Sequence, residues 1–264
     1  MKKWQDMLAF PFRGRTGKPR SVGVTMLLDK GLGLGETRDL LGIAGEYIDI
    51  IKLGFGTSAL YSDGVLQEKV DLVRQHQIDI YPGGTFFEIA VLQDKLSSYL
   101  RLAREIGFTA IEVSDGTINL APRMRWAAIE KAANLGFKVL SEVGKKWVNG
   151  DSPDYRELAQ QALRDLEAGA RWVIVEGREF GYNVTLYNGE GSLKEYALEE
   201  MLQHLGEPDR IIWEAPLKKQ QQALVEWFGP NVNLGNIPPR EVLALEALRV
   251  GLRSDTLRLL CDGK

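Results

Sequence analysis

Four short apolar runs in this sequence each end in a glutamate. Glu112 follows Ala110-Ile111, Glu142 follows Val139-Leu140-Ser141, Glu176 follows Val173-Ile174-Val175, and Glu214 follows Ile211-Ile212-Trp213. Lys52 ends a similar run after Ile50-Ile51. A carboxylate in a dry strand costs several kcal/mol unless it is compensated, so the repetition calls for a cause. If the strand ends converge, repulsion raises some carboxylate pKa values unless cations intervene. The candidate cations are Lys52, Lys145, Lys146, Arg178, Lys218 and Lys219. A divalent ion is the other solution, and hard oxygen ligands without clustered His or Cys suit Mg²⁺ better than zinc. Each glutamate could instead pair structurally with a neighbouring lysine or arginine.

Converging strand ends require parallel strands wound in one direction. Apolar, β-rich runs recur about every 30 residues, with helical periodicity between them. They are 21–28, 47–54, 78–84, 109–116, 137–144, 171–177, 210–216 and 232–236. Helix punctuation falls between them. Ser152-Pro153 reads as an N-cap, Ser192 and Glu195 have capping-box spacing, and Pro216 and Gly229 bracket a helix. Gly107, Gly136 and Gly169 stand where helices should stop. Eight strand–helix units in 264 residues predict an α/β fold, a single-domain (β/α)₈ TIM barrel over 21–264, preceded by a basic lead-in at 1–20. A doubly wound sheet would offer a glycine-rich phosphate fingerprint after the first strand. GLGLGE (31–36) has Glu36 where the fingerprint's third glycine would fall, and it reads as a mobile loop.

In such a barrel, strand-end residues meet at the C-terminal mouth, where catalytic groups sit. VNLGNIPP supplies the Gly235-Asn236 amides where many barrels hold phosphate, and YPGGT (81–85) is a second flexible turn able to approach an anion. His76 and His204 fall late in predicted helices and read as structural. Arg13, Arg15, Lys18 and Arg20 read as a solvated arm able to fold over an anionic ligand. A net charge of −3 with interspersed signs predicts no nucleic-acid partner, and no run is apolar enough to predict a membrane span. The single cysteine, Cys261, excludes an intramolecular disulfide and predicts a reducing cytoplasm.

From KPR (18–20) to LRSDT (252–256), the sequence resembles phosphosulfolactate synthases. The stretches that carry the resemblance are MLLDKGLGL, YIDIIKLGFGTS, YPGGTFFE, IEVSDGTI, SEVGKK, WEAPLKKQQ, FGPNVNLGNI and LEALRVGLRSDT. The resemblance implies a TIM-barrel, Mg²⁺-dependent carbon–sulfur lyase. It would add sulfite to C3 of phosphoenolpyruvate, giving (2R)-2-phospho-3-sulfolactate for coenzyme M or sulfolactate formation. Glu142 and Glu176, then Glu112 and Glu214, would hold the metal. Lys145 would protonate C2, with Lys52 as its competitor, and Arg178, Lys218, Gly235 and Asn236 would position the anions. One departure stands out: the family reads close to EARESG after strand 6, whereas this chain has EGREFG, with Gly177 and a bulky Phe180. The family's relatives also include heat-stress-associated proteins, which leaves a non-catalytic reading open. A barrel lyase using Lys52 as a Schiff-base nucleophile is the other alternative. Barrel helices often associate, so a homo-oligomer is expected.

Overall fold

The computed structural model describes residues 3–144 and 153–261. Its eight parallel strands are β1 (Thr25–Asp29), β2 (Ile50–Leu53), β3 (Asp79–Tyr81), β4 (Ala110–Val113), β5 (Lys138–Val143), β6 (Trp172–Val175), β7 (Ile211–Glu214) and β8 (Leu234–Ile237). They run in the order β3-β2-β1-β8-β7-β6-β5-β4, with helices between them. At the seam between β3 and β4, the Thr109 N–H donates to the Ile80 carbonyl at 3.1 Å. Its hydroxyl accepts from the Ile80 N–H at 3.0 Å, nearly closing the cylinder. The (β/α)₈ barrel expected from the strand count is the fold.

Two-residue alternation explains the glutamates. Ile50, Ala110, Leu140, Ile174 and Ile212 belong to one buried cluster, joined by Met26, Tyr81 and Trp172, which fills the barrel interior. Ile51, Ile111, Val139, Val173 and Trp213 face the helices and join the larger outer core. Lys52, Glu112, Glu142, Glu176 and Glu214 therefore sit one pleat above the inner plug, at the C-terminal rim.

Several local expectations change. The helix Tyr155–Glu167 is capped by Asp154, whose carboxylate accepts from the Glu157 N–H at 3.0 Å, and Ser152 lies outside the described residues. The helix Glu195–Leu205 starts from Lys194 without a side-chain cap, because Ser192 is held in the preceding loop by Asn188. Gly229 ends the helix Lys218–Phe228 as expected, but that helix starts beyond Pro216, with the Gln220 side chain accepting from the Leu217 N–H. The glycine loop after β1 is tied down. Asp29 accepts from the Gly31 and Leu32 N–H groups, both at 2.8 Å, and pairs with the buried Lys69 at 2.5 Å.

The basic lead-in neither floats nor covers the mouth. Arg15 pairs with Glu246 at 3.0 Å and donates to the Gly23 carbonyl, while Arg20 pairs with Asp49 at 3.2 Å. Gly23 and Asp49 precede β1 and β2, so these bonds seal the N-terminal end of the barrel. Charges so close to the barrel floor find fixed acids and carbonyls there, and these outcompete water.

Arg125, in the helix Pro122–Asn134, braces the other end. Its guanidinium meets Asp165 at 2.6 Å and Asp115 at 2.9 Å, and it donates to the Glu142 carbonyl at 2.8 Å. All three charged side chains are buried. Arg125→Met should lower the free energy of unfolding by about 3–5 kcal/mol, because two buried carboxylates lose their cation. Urea denaturation measures this, and a change below about 1 kcal/mol would contradict the buried clamp.

Candidate active site

The rim encloses a cavity of about 370 Å³, lined among others by Lys52, Glu88, Glu112, Glu142, Glu176, Arg178, Phe180, Glu214 and Asn236. At its base, Lys52 Nζ lies 3.0 Å from Glu112 Oε2, 3.5 Å from Glu142 Oε2 and 3.4 Å from Glu214 Oε1. One ammonium thus serves three carboxylates from β4, β5 and β7. Further donors share the load. Tyr81 donates to Glu112 Oε2 at 2.7 Å, and the Gly177 N–H donates to Glu214 Oε2 at 2.9 Å.

The electrostatics follow from this unequal division. Burial works against the Lys52 ammonium, but Glu112, Tyr81, Glu214 and Glu142 outweigh it and hold its pKa well above the ordinary lysine value. Burial also raises Glu112 and Glu214, the latter to about 7, with Lys52 opposing only in part. One positive charge cannot keep every surrounding carboxylate in its ordinary range.

A second group lies beside β4. Ser114 Oγ is 3.1 Å from Glu142 Oε1 and 2.9 Å from Glu88 Oε1, and Glu88 also accepts from the Thr117 N–H. Glu88 lies in the helix Gly84–Leu92, which begins at the YPGGT turn. Gly84 packs so closely on Glu112 that a Cβ would meet Glu112 Oε1 at 2.1 Å, so that glycine is required by close approach. Glu88, Tyr81 and Ser114 were missed in the sequence. The signal for Glu88 was a lone acid inside the apolar stretch GTFFEIAVL.

The expected site residues divide. Lys52, Glu112, Glu142, Glu176, Glu214, Arg178 and Asn236 meet at the cavity. Lys218 does not: it is half-exposed and pairs with Asp255 at 2.9 Å. Gly235 lies beneath the cavity, where a Cβ would meet Met26 Cε at 2.6 Å and Ile212 Cγ2 at 3.0 Å. Lys145 and Lys146 lie outside the described residues. His76 caps its helix and contacts the Leu72 carbonyl, and His204 is in the last turn of another helix, as a structural reading requires.

A strand-end cavity of this kind, lined by acids around a buried lysine, defines a (β/α)₈-barrel enzyme. A family model described as "(2R)-phospho-3-sulfolactate synthase (ComA)" matches residues 13–255, and the chain belongs to that family. The phosphosulfolactate synthase of Methanothermobacter thermautotrophicus is 47% identical over 92% of this chain and 94% of that protein. The phosphosulfolactate synthase of Bacillus subtilis is 38% identical over 93% and 96%. Among solved structures, a 3-hexulose-6-phosphate synthase superposes with a TM-score of 0.55 at 15% identity, covering 85% of this chain and 99% of that one, which speaks for the fold alone. No helix among the described residues is long and apolar enough to cross a membrane.

The raised Glu214 pKa carries a stability signature. Its contribution is fully present below the unfolded value near 4.5 and is lost as pH rises through about 7. Glu214→Gln, which cannot ionise, should therefore gain stability relative to the parent by about 1–3 kcal/mol between pH 4.5 and pH 8. Denaturation at the two pH values measures it. Equal differences would contradict the buried, under-compensated carboxylate.

Proposed function

We propose that this cavity catalyses the Mg²⁺-dependent addition of sulfite to C3 of phosphoenolpyruvate, giving (2R)-2-phospho-3-sulfolactate, a carbon–sulfur lyase reaction run in the direction of synthesis. The observation that carries this reading is the excess of carboxylates. The described cavity wall holds six glutamates, Glu88, Glu112, Glu142, Glu176, Glu179 and Glu214, against two cations, Lys52 and Arg178. Two anionic substrates would enter such a cavity only with further positive charge.

Among the described residues no three His, Cys, Asp or Glu side chains form a ready cation cage, and Lys52 fills the centre of three glutamates. That arrangement suits Mg²⁺, which is commonly held by one or two carboxylates together with substrate phosphate. Glu142 and Glu176 would hold it: Glu112 and Glu214 are sealed by Lys52 together with Tyr81 and the Gly177 amide, whereas Glu142, though it also faces Lys52, is more open to the cavity. When bound, the ion would offset the second charge that develops on the substrate carboxylate.

Attack of sulfite at C3 forms the C–S bond and moves the double-bond electrons into the carboxylate, leaving an enediolate that takes a proton at C2. Lys52 is a poor donor and a poor nucleophile, because its carboxylate partners keep it charged. This argues against the Schiff-base alternative and leaves Lys145 as our choice of acid. Lys52 instead holds the glutamates of three strands in register, and Arg178 and Asn236 position an oxyanion at the mouth. We place the activity in the cytoplasm, in a homo-oligomer, and assign its product to coenzyme M or sulfolactate formation.

Phosphorus NMR of the protein with phosphoenolpyruvate and sulfite should show a new phosphate ester with Mg²⁺ and none in its absence. No product under either condition would remove the proposal. Glu142→Gln should raise the Mg²⁺ concentration for half-maximal rate by about tenfold or more, as loss of one charged ligand predicts. Lys145→Ala should lower kcat by about 10²–10⁴-fold.

A further inference from the structure

Phe180 is a large apolar side chain, 44% exposed, on the wall of a cavity otherwise rich in carboxylates. Its ring centroid lies 5.7 Å from the Arg178 guanidinium carbon. Arg178 is the second cation of the described wall and, unlike Lys52, is not surrounded by glutamates. Its Nε is buried without a hydrogen bond, and Glu176 Oε1 stands 3.6 Å away.

The backbone around this pair is fixed from both sides. Arg178 adopts a left-handed conformation (φ 55°), and its carbonyl accepts from Asn236 Nδ2 at 3.2 Å, Asn236 itself being left-handed (φ 53°). After Phe180, Gly181 (φ 68°) is held by Gln220, whose Nε2 donates to the Gly181 carbonyl at 2.7 Å and to the Gly191 carbonyl at 3.1 Å. Non-glycine residues in this region are strained, and such strain persists where the surroundings impose it. The turn therefore delivers the ring to the guanidinium.

The two supports of Arg178 differ in kind. Glu176 attracts the guanidinium through its N–H edge, the same edge an oxyanion would use. An aromatic face attracts it through the plane and leaves that edge available for a bidentate anion.

We propose that Phe180 is a positioning residue that holds Arg178 for an oxyanion of the substrates, either the phosphate of phosphoenolpyruvate or sulfite. This rests on the addition reaction proposed above. Phe180→Leu keeps an apolar side chain and removes the ring, whereas Phe180→Tyr keeps the ring. With both variants shown by melting to be folded, steady-state kinetics are measured with each substrate varied in turn. Phe180→Leu should raise one KM about three- to fivefold, while kcat stays within about twofold and Phe180→Tyr restores the parent value. The KM that moves identifies the oxyanion. Unchanged KM values in Phe180→Leu, or a fall in kcat alone, would overturn the inference.

Calorimetric titration of phosphoenolpyruvate and of sulfite into the parent and both variants separates this inference from the reaction itself. If the parent binds either anion without turnover, the addition reaction is wrong, and weaker binding by Phe180→Leu alone still supports the positioning role. If the parent binds neither, or the parent and Phe180→Leu bind equally, the positioning role fails as well.

Discussion

Three buried glutamates share one ammonium, and the architecture of the mouth follows from that shortage. Lys52 Nζ can approach Glu112, Glu142 and Glu214 together only because β2, β4, β5 and β7 present them at one level around the cylinder. Shifting any of these strands by one residue would turn its charge away from this group and into the helix layer. The apolar plug beneath therefore fixes the site as well as filling the barrel. The surplus negative charge left above it is what the proposed Mg²⁺-dependent addition draws on.

Supporting contacts answer the same constraint from outside. Arg125 ties the Glu142 carbonyl to two buried aspartates, so β5 is held where its carboxylate meets Lys52. The loop after β6 is packed from beneath, with Tyr187 donating to the Glu214 carbonyl at 2.7 Å and Gly177 close against the same residue. At the opposite end, Arg15 and Arg20 seal the floor, separating the basic lead-in from the chemistry. The barrel thus divides labour in the usual way, with stability below and function above.

The Phe180 turn shows how one site can vary within a fixed frame. It belongs to a loop, is held by the side chains of Asn236 on β8 and Gln220 rather than by strand pairing, and lies above the plug. The strand-borne charges around Lys52 and the loop-borne Arg178–Phe180 pair therefore reside in different layers of the molecule.

The strand count, the barrel and the convergence of Glu112, Glu142, Glu176, Glu214 and Lys52 were legible in the sequence. Period-two burial and strand direction are local properties, and a closed parallel sheet converts them into a single rim. Local reading did not reach contacts made across the barrel. It could not show that Lys218 turns to Asp255, that the basic arm seals the floor, or that Glu88 enters the site through Ser114. It also could not decide which glutamates Lys52 occupies. Those pairings join residues tens to hundreds of positions apart, and only closure of the cylinder sets the distances that decide them.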